Sequence, residues 1–502
     1  MKKILAISIC ILMVFSTGCI QDKKVNQGNS SINCYFGKLP SSLDILQLND
    51  NSYKGIFSYL FTGLVTVDKS GKIVPSIAED WNVSTDGLKY TFKLKSNAYW
   101  SDGEEITAEN FVELFKMLLD KDRKDSLKYM LYPIVNAENY AKGSSSFDKV
   151  GVKANDEKTL EINLSKVCPD FIKILSQQDF YLRKDKENLE NWQKEYKTMK
   201  FSGPYSIVKI DNNELQLDKN SYYWDSDSIK CKRFFIMKDM SHEEALAYFE
   251  MGDIDVMVNP PISEVNRFIS NSNTIIVNST DTLYLTFNTA GSSQCSNVLL
   301  RKKIANAIDR KQIKNNSLKD FQSDTYGIFK EMQGAGYNDL ENTNNDKSIN
   351  LKLVCSDDDI SKKISQEIGT ELKKSLKINL SVTALSNEEL EKEKDLKDFD
   401  IVLARSFSSY NNQFDICRNF VTGNLENVMG YSNKDMDSLV INSIYGDDNS
   451  SKKAQQQCYD ILYKDAMYVP LFKDVELILK SSELSDISVG YFGEIQVDNL
   501  SK

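Results

Sequence analysis

The sequence predicts an α/β protein of two or three domains behind an N-terminal export segment, and three observations carry that class. A chain of 502 residues exceeds what one hydrophobic core holds, since single cores stop growing at roughly 250–300 residues. Alternating apolar residues mark half-buried strands, and apolar stripes at helical spacing fall between them. From about 349 to 404, strands and helices alternate, the rhythm of right-handed βαβ units in a parallel sheet. Composition is that of a folded body, with 41% hydrophobic, 10% aromatic and 27% charged residues. The 62 basic residues against 72 acidic ones, a net charge of −10 with no basic stripe, exclude nucleic acid as a partner, because such binding rests on cationic contacts to phosphate.

The chain opens with a basic pair, Lys2 and Lys3, then an apolar run from Ile4 to Phe15 that ends in Ser16, Thr17, Gly18 and Cys19. A membrane-spanning helix needs roughly 20 apolar residues, so this shorter run reads as a removable secretory signal. Thr17 and Gly18 before Cys19 resemble a bacterial lipoprotein cleavage box, although Ser16 stands where an aliphatic residue is usual. The resemblance implies a signal peptide over 1–18 and a lipid on Cys19. It also implies an extracytoplasmic protein anchored to the outer face of the cell membrane. Residues 19–31 are polar, with Gly, Ser, Asn, Lys23 and Lys24, and read as a flexible tether. No later run is long and apolar enough to cross a bilayer, so the membrane is met only through that N-terminal lipid.

Beyond Cys10 and Cys19 there are Cys34, Cys168, Cys231, Cys295, Cys355, Cys417 and Cys458. Their odd number, wide spacing and lack of any C-x-x-C pair argue for free thiols, mostly in apolar surroundings, as in a reducing or anaerobic habitat. The one histidine, His242, sits at the start of a helix whose capping box is Ser241 and Glu244 and whose stop is Gly252. It is expected on the first turn at the surface, which leaves no His-rich zinc site and no convincing Ser-His-Asp triad. Phosphate-binding loops, dinucleotide fingerprints and the nucleophile elbow are missing, and Asp357, Asp358 and Asp359 read as a solvated loop or helix start. The expectation is no catalytic residue, no metal and no cofactor.

Along the body, Tyr90, Phe92 and Leu94 alternate on one strand face. Thr107 caps a helix with Phe111, Leu114, Phe115 and Leu118 as its stripe. Leu160, Ile162 and Leu164 mark another strand, and Leu215 with Leu217 a third. Later come a strand over Leu351 to Cys355, a helix over 358–376, a strand over 378–385, a helix over 387–395 and an apolar strand from Phe399 to Ala404. Ligands of parallel sheets gather at the carboxyl ends of strands, so Arg405 to Asp415 is the segment to search for a binding site.

An ordered set of short motifs then resembles the solute-binding proteins of bacterial ABC importers, in the large oligopeptide/dipeptide/nickel-binding family. These include Ser42-Leu43-Asp44, Leu60-Phe61-Thr62-Gly63-Leu64, Ile73-Val74-Pro75-Ser76-Ile77-Ala78-Glu79-Asp80-Trp81 and Trp100-Ser101-Asp102-Gly103. Gly203-Pro204-Tyr205, Asn220-Ser221-Tyr222-Tyr223-Trp224, Gly252-Asp253-Ile254-Asp255 and Phe287-Asn288-Thr289 follow, then the run from Arg301 to Arg310 and Val469-Pro470-Leu471. The resemblance implies a two-lobed periplasmic-binding-protein-like fold of the large class II type with an extra third domain. One lobe would combine 32–65, 173–280 and 471–502, the additional domain 66–172, and the second lobe 281–470. The lobes would close on a solute and present it to a membrane permease driven by an ATPase, with no bond made or broken.

In oligopeptide-binding relatives an Asp in an Asp-Tyr-x-x-Pro stretch pairs with the peptide's amino terminus. The matching run here is Arg405, Ser406, Phe407, Ser408, Ser409, Tyr410 and Asn411, with Ser409 in the place of that Asp. Either Asp415 or Asp50 supplies the missing charge, or the ligand has no free amino terminus there. Asn49, Asp50 and Asn51 are the other backbone-contact segment that the resemblance implies, and Arg405 is a candidate partner for a carboxylate. The expected cargo is a peptide. The alternatives are another small solute or signalling peptide on the same fold, or, from a different class, an enzyme or adhesin.

Overall fold

The structure, a computed structural model, describes residues 31–44, 52–123, 127–290, 293–318, 337, 348–386, 389–390, 396–406, 415–424, 427, 429–445, 448–485, 487–491, 494–496 and 500–501. Cys19, Asn49, Asp50 and Asn51 therefore lie outside the described residues, as do Phe407, Ser408, Ser409, Tyr410 and Asn411. In chain order the strands are β1 (Ser31–Tyr35), β2 (Val65–Val67), β3 (Ile73–Pro75), β4 (Ala78–Val83), β5 (Lys89–Leu94), β6 (Val152–Asp156), β7 (Thr159–Asn163) and β8 (Tyr205–Ile210). There follow β9 (Glu214–Lys219), β10 (Arg233–Met237), β11 (Val256–Val258), β12 (Thr274–Phe287), β13 (Ile349–Ser356), β14 (Ile378–Leu385), β15 (Ile401–Ser406) and β16 (Val469–Lys480).

Alternation along β5 and β7 puts Tyr90, Phe92, Leu160 and Ile162 on one buried face, with Phe92 opposite Leu160 and Tyr90 opposite Ile162. These strands belong to a four-stranded antiparallel sheet ordered β4-β5-β7-β6. Helix Ala108–Leu118 lays Phe111, Leu114, Phe115 and Leu118 on it, as its spacing predicts. Trp100 explains its motif: the ring is fully buried and its Nε1–H donates to Asn110 Oδ1 at 3.1 Å, the oxygen that also accepts from the Thr107 backbone N–H. The turn after it needs Gly103 at φ +86°.

β2 and β3 pair only with each other, and the remaining ten of these strands form one mixed sheet in the order β14-β13-β15-β12-β16-β11-β1-β10-β9-β8. Its two ends carry separate cores, which makes the molecule two-lobed. The first lobe packs Ile32, Phe57, Tyr59, Trp192, Leu217 and Phe234, and draws in Leu484 and Leu500 from the end of the chain. The second packs Leu283, Leu285, Leu353, Ile401 and Leu403 under helix Asp359–Leu376, which contributes Ile364, Ile368 and Leu372. On the opposite face of the same strands, Tyr284 meets Phe420 and Tyr468, with helix Asp448–Lys464 covering them.

Strands β12 and β16 run through both lobes. Their antiparallel ladder breaks register between Asn278 and Thr282, which pair with Val475 and Lys473. A bulge of this kind interrupts the ladder and bends the strand.

The parallel-sheet expectation holds only locally. β13 pairs in parallel with β14 and β15, but β15 pairs antiparallel with β12, because the crossing strands enter the second lobe from the first. The last strand also starts later than its apolar run suggests. Residues Leu396–Asp398 wind into a 3-10 turn, and the Phe399 carbonyl accepts from Asn288 Nδ2 at 3.1 Å. Of the helix expected over 387–395, only 389–390 are described, and they are helical.

Several family-like motifs turn out to hold the frame. A Cβ on Gly203 would come within 2.6 Å of the Leu60 carbonyl carbon and the Phe61 nitrogen, so only glycine lets these backbones approach. Buried Arg301 donates to the carbonyls of Asp465 at 2.9 Å and Cys295 at 2.8 Å, and Arg310 Nε donates to the Pro470 carbonyl at 2.8 Å. The four-stranded body is fastened to the first lobe by a buried ion pair, Arg123 Nη1 at 3.1 Å from both carboxylate oxygens of Asp44. Arg183 Nη2 adds a bond to the Asp44 carbonyl at 2.9 Å.

Candidate ligand-binding site

The carboxyl ends of β1 in the first lobe and of β13 in the second approach one another, and β15 lies parallel beside β13. Lys38 follows β1 and Asp357 follows β13, and Lys38 Nζ stands 3.8 Å from Asp357 Oδ2. Both side chains are exposed, so solvent screens this pair and it is worth little energetically. Its importance is geometric, because it marks where the two lobes face one another.

Arg405 lies at the end of β15, opposite Leu283 of β12, and is half-buried. Its guanidinium works on Asp358, the N-cap of helix Asp359–Leu376. Burial opposes the charged carboxylate, but the Arg405 charge and the Ser361 hydrogen bonds, at 2.9 Å from the backbone N–H and 2.7 Å from the hydroxyl, hold Asp358 below the usual carboxylate range. The helix N-terminus favours that same negative charge. The acidic triplet is thus a helix start, as expected, but two of its members have partners that sequence spacing did not reveal. Ser406 closes β15, and Asp415 opens the short helix Asp415–Arg418. These two residues and Arg405 bracket the stretch from 407 to 414, which is outside the described residues.

Catalytic chemistry has little to work with here. His242 occupies the first turn of its helix, with Ser241 Oγ accepting from the Glu244 N–H at 3.2 Å and the Ser241 N–H donating to Glu244 Oε2 at 2.9 Å. Its Nδ1 lies 2.8 Å from the Asn259 carbonyl, and its ring meets Tyr35 edge-on at 5.4 Å. The seven described cysteines are free and buried. Burial pushes the Cys168 and Cys295 thiols up to about 12, the opposite of nucleophile activation. Among the described residues no group of three or more His, Cys, Asp or Glu could hold a metal ion, and no helix is long and apolar enough to cross a membrane.

Residues 72–426 match the family model described as bacterial extracellular solute-binding proteins, family 5 middle. The dipeptide-binding protein DppE of Bacillus subtilis is 25% identical over 485 residues, covering 90% of this chain and 89% of that protein. The oligopeptide-binding protein AliB of Streptococcus pneumoniae is 32% identical over a shorter stretch, 43% of this chain and 35% of its own length. Among solved structures, the murein tripeptide binding protein MppA of Escherichia coli superposes with a TM-score of 0.81 at 20% identity, covering 94% of this chain and 99% of that one. The unliganded open form of MppA gives 0.63 at the same identity, with 94% and 97% covered. The match spans well over half of the sequence and carries the two-lobed architecture with it: the chain belongs to the bacterial extracellular solute-binding proteins of family 5.

Proposed function

We propose that this protein is the extracytoplasmic substrate-binding lipoprotein of an ABC importer, which captures a peptide between its two lobes and delivers it to a membrane permease powered by an ATPase. The observation that carries the reading is the approach of the carboxyl ends of β1 and β13, one from each lobe, across two crossing strands. The names of the similar proteins support a peptide cargo. The contacts across the gap, together with the weaker match to an open form, support reading this arrangement as the closed one. In this proposal the first lobe combines 32–65, 173–280 and 471–502, the additional domain is 66–172 and the second lobe is 281–470. The separate cores support a division of this kind, although Leu64, Val65, Ile174, Leu175, Phe180 and Leu182 pack with the additional domain and Leu471 and Phe472 with the second lobe. Cys19 carries the lipid, and Asn49, Asp50, Asn51, Arg405 to Asn411 and Asp415 line the cargo.

Ser409, in place of the expected acid, favours one second reading, a cargo without a free amino terminus at that point. A buried ammonium with no counter-charge costs on the order of several kcal/mol. Native mass spectrometry of gently purified protein, followed by calorimetry of what it carries and of a mixed tripeptide library, tests both readings. Peptide masses and tight library binding support the first. A non-peptide mass with no library binding supports the second and sinks the first.

A further inference from the structure

The four-stranded body is bound to the first lobe, yet the second lobe also rests on it. Ile444, just after helix Lys434–Ser443, packs against the core of the four-stranded body. Beside it, Lys166 Nζ lies 5.0 Å from the centroid of the Tyr445 ring, within cation–π range. Tyr445 is half-buried, and burial followed by the nearby Glu138 carboxylate pushes its phenol up. A third point of approach is Tyr129, whose phenol is raised by burial and, against the pull of Lys142, by Asp437 of the second lobe.

The attachments differ in kind. The Asp44–Arg123 pair that holds this body to the first lobe is almost fully buried and does not involve the second lobe. The second lobe joins the first through β12 and β16, whose ladder is interrupted at Asn278/Thr282. Rotation about that interruption parts Tyr445 from Lys166 and leaves the Asp44–Arg123 pair intact. Among the contacts between described residues of the second lobe and the rest of the molecule, Lys38–Asp357 is an exposed ion pair, whereas Ile444 and Tyr445 remove apolar surface from water. The apolar meeting has the larger effect on the balance between open and closed.

We infer that the four-stranded body is the seat on which the second lobe lands at closure, and that Ile444 and Tyr445 are positioning residues that set ligand affinity without touching the ligand. This rests on the two-lobe closure proposed above. A ligand's apparent affinity falls with the fraction of protein able to close, so weakening the seat weakens binding from a distance.

The variant Ile444→Ser/Tyr445→Ala, titrated with a tripeptide mixture, should show Kd weakened roughly tenfold, the effect of losing partial burial of two apolar side chains. The melting temperature of the unliganded protein should stay at the wild-type value. Lys166→Ala should shift Kd the same way by less. An unchanged Kd, or an unliganded melting temperature that falls with the substitution, overturns the inference, since either means that the contact does not belong to the closed state alone. A second arm needs no peptide. Lys166→Cys/Tyr445→Cys, treated with a short bis-maleimide while the native described thiols stay buried, should cross-link and make the unliganded molecule more compact in small-angle scattering. Cross-linking without compaction, or no cross-linking, refutes the seat. If wild-type protein binds no peptide, this arm still decides the seat, and only the peptide reading fails.

Discussion

Replacing Arg123 with Met should loosen the four-stranded body from the first lobe at a cost of about 3–5 kcal/mol, the range for stripping one partner from a buried ion pair. The structure supports the upper part of that range. The two side chains are 2% and 1% exposed, so water cannot take over the role of Arg123 beside the Asp44 carboxylate. Arg123 Nη1 is equidistant from both oxygens at 3.1 Å, whereas Arg183 Nη2 donates to the Asp44 backbone carbonyl at 2.9 Å. For a unit of 150–250 residues each kcal/mol lowers Tm by roughly 2–4 °C, which puts the expected drop at about 6–20 °C. Thermal unfolding followed by near-ultraviolet circular dichroism reads this directly. Asp44→Leu/Arg123→Met, which removes both charges, should recover much of the loss. A drop below about 2 °C for Arg123→Met, or a double variant no better than the single one, refutes the idea that this pair is the fastening.

Gly203→Ala should lower stability by about 1–3 kcal/mol, since the new methyl meets backbone rather than a yielding side chain, and wild-type Tm in that variant contradicts the contact. The described thiols should ignore a thiol-reactive dye at pH 8 in the native protein and react once it is unfolded; fast native reaction of Cys168 or Cys295 would contradict their burial. Asp358 binds its proton less readily folded than unfolded, so its contribution is complete above its ordinary value of 3.8 and disappears as pH falls below that. Asp358→Asn should accordingly flatten the acid limb of the stability curve, and an unaltered limb would show that the Arg405 charge and the Ser361 hydrogen bonds do not matter. Ser409→Asp should gain little affinity for free-amino peptides if Asp415 or Asp50 already balances the charge, and should widen the ligand range if the natural cargo lacks an ammonium; calorimetry showing neither displaces this loop from the cleft.

What sequence could convey here follows from distance along the chain. Strands β5 and β7 and helix Ala108–Leu118 are written in local period, and the Ser241–Glu244 box and Gly252 stop lie within one helix, so all were legible. Strand order was not, because the antiparallel entry of β12 beside β15 depends on pairing between segments over a hundred residues apart. The motif residues were legible as a family signature, but their roles were not: Arg301, Asn288 and Gly203 prove to serve backbone carbonyls and close packing. At the site, the Asp358 cap could be read from its spacing to Ser361. The influence of the Arg405 charge on it, and the pairing of Lys38 with Asp357, could not, since each joins elements that meet only in the folded sheet.

The passage of β16 from the second lobe back into the first has a consequence for the order in which the protein is made. β11 lies between β1 and β16, and β16 in turn lies between β11 and β12, so the first lobe's sheet has a missing rung until residues 469–480 exist. Its core needs still later ones: Leu484 and Leu500 pack there, and Tyr59 Oη donates to the Ile495 carbonyl at 2.8 Å. The second lobe has almost all its strands by β15 and can consolidate while the first is incomplete. A ribosome or translocon would therefore release a chain whose opening segment is the last to settle, and a truncation of the final few dozen residues would damage the end of the molecule that was synthesised first.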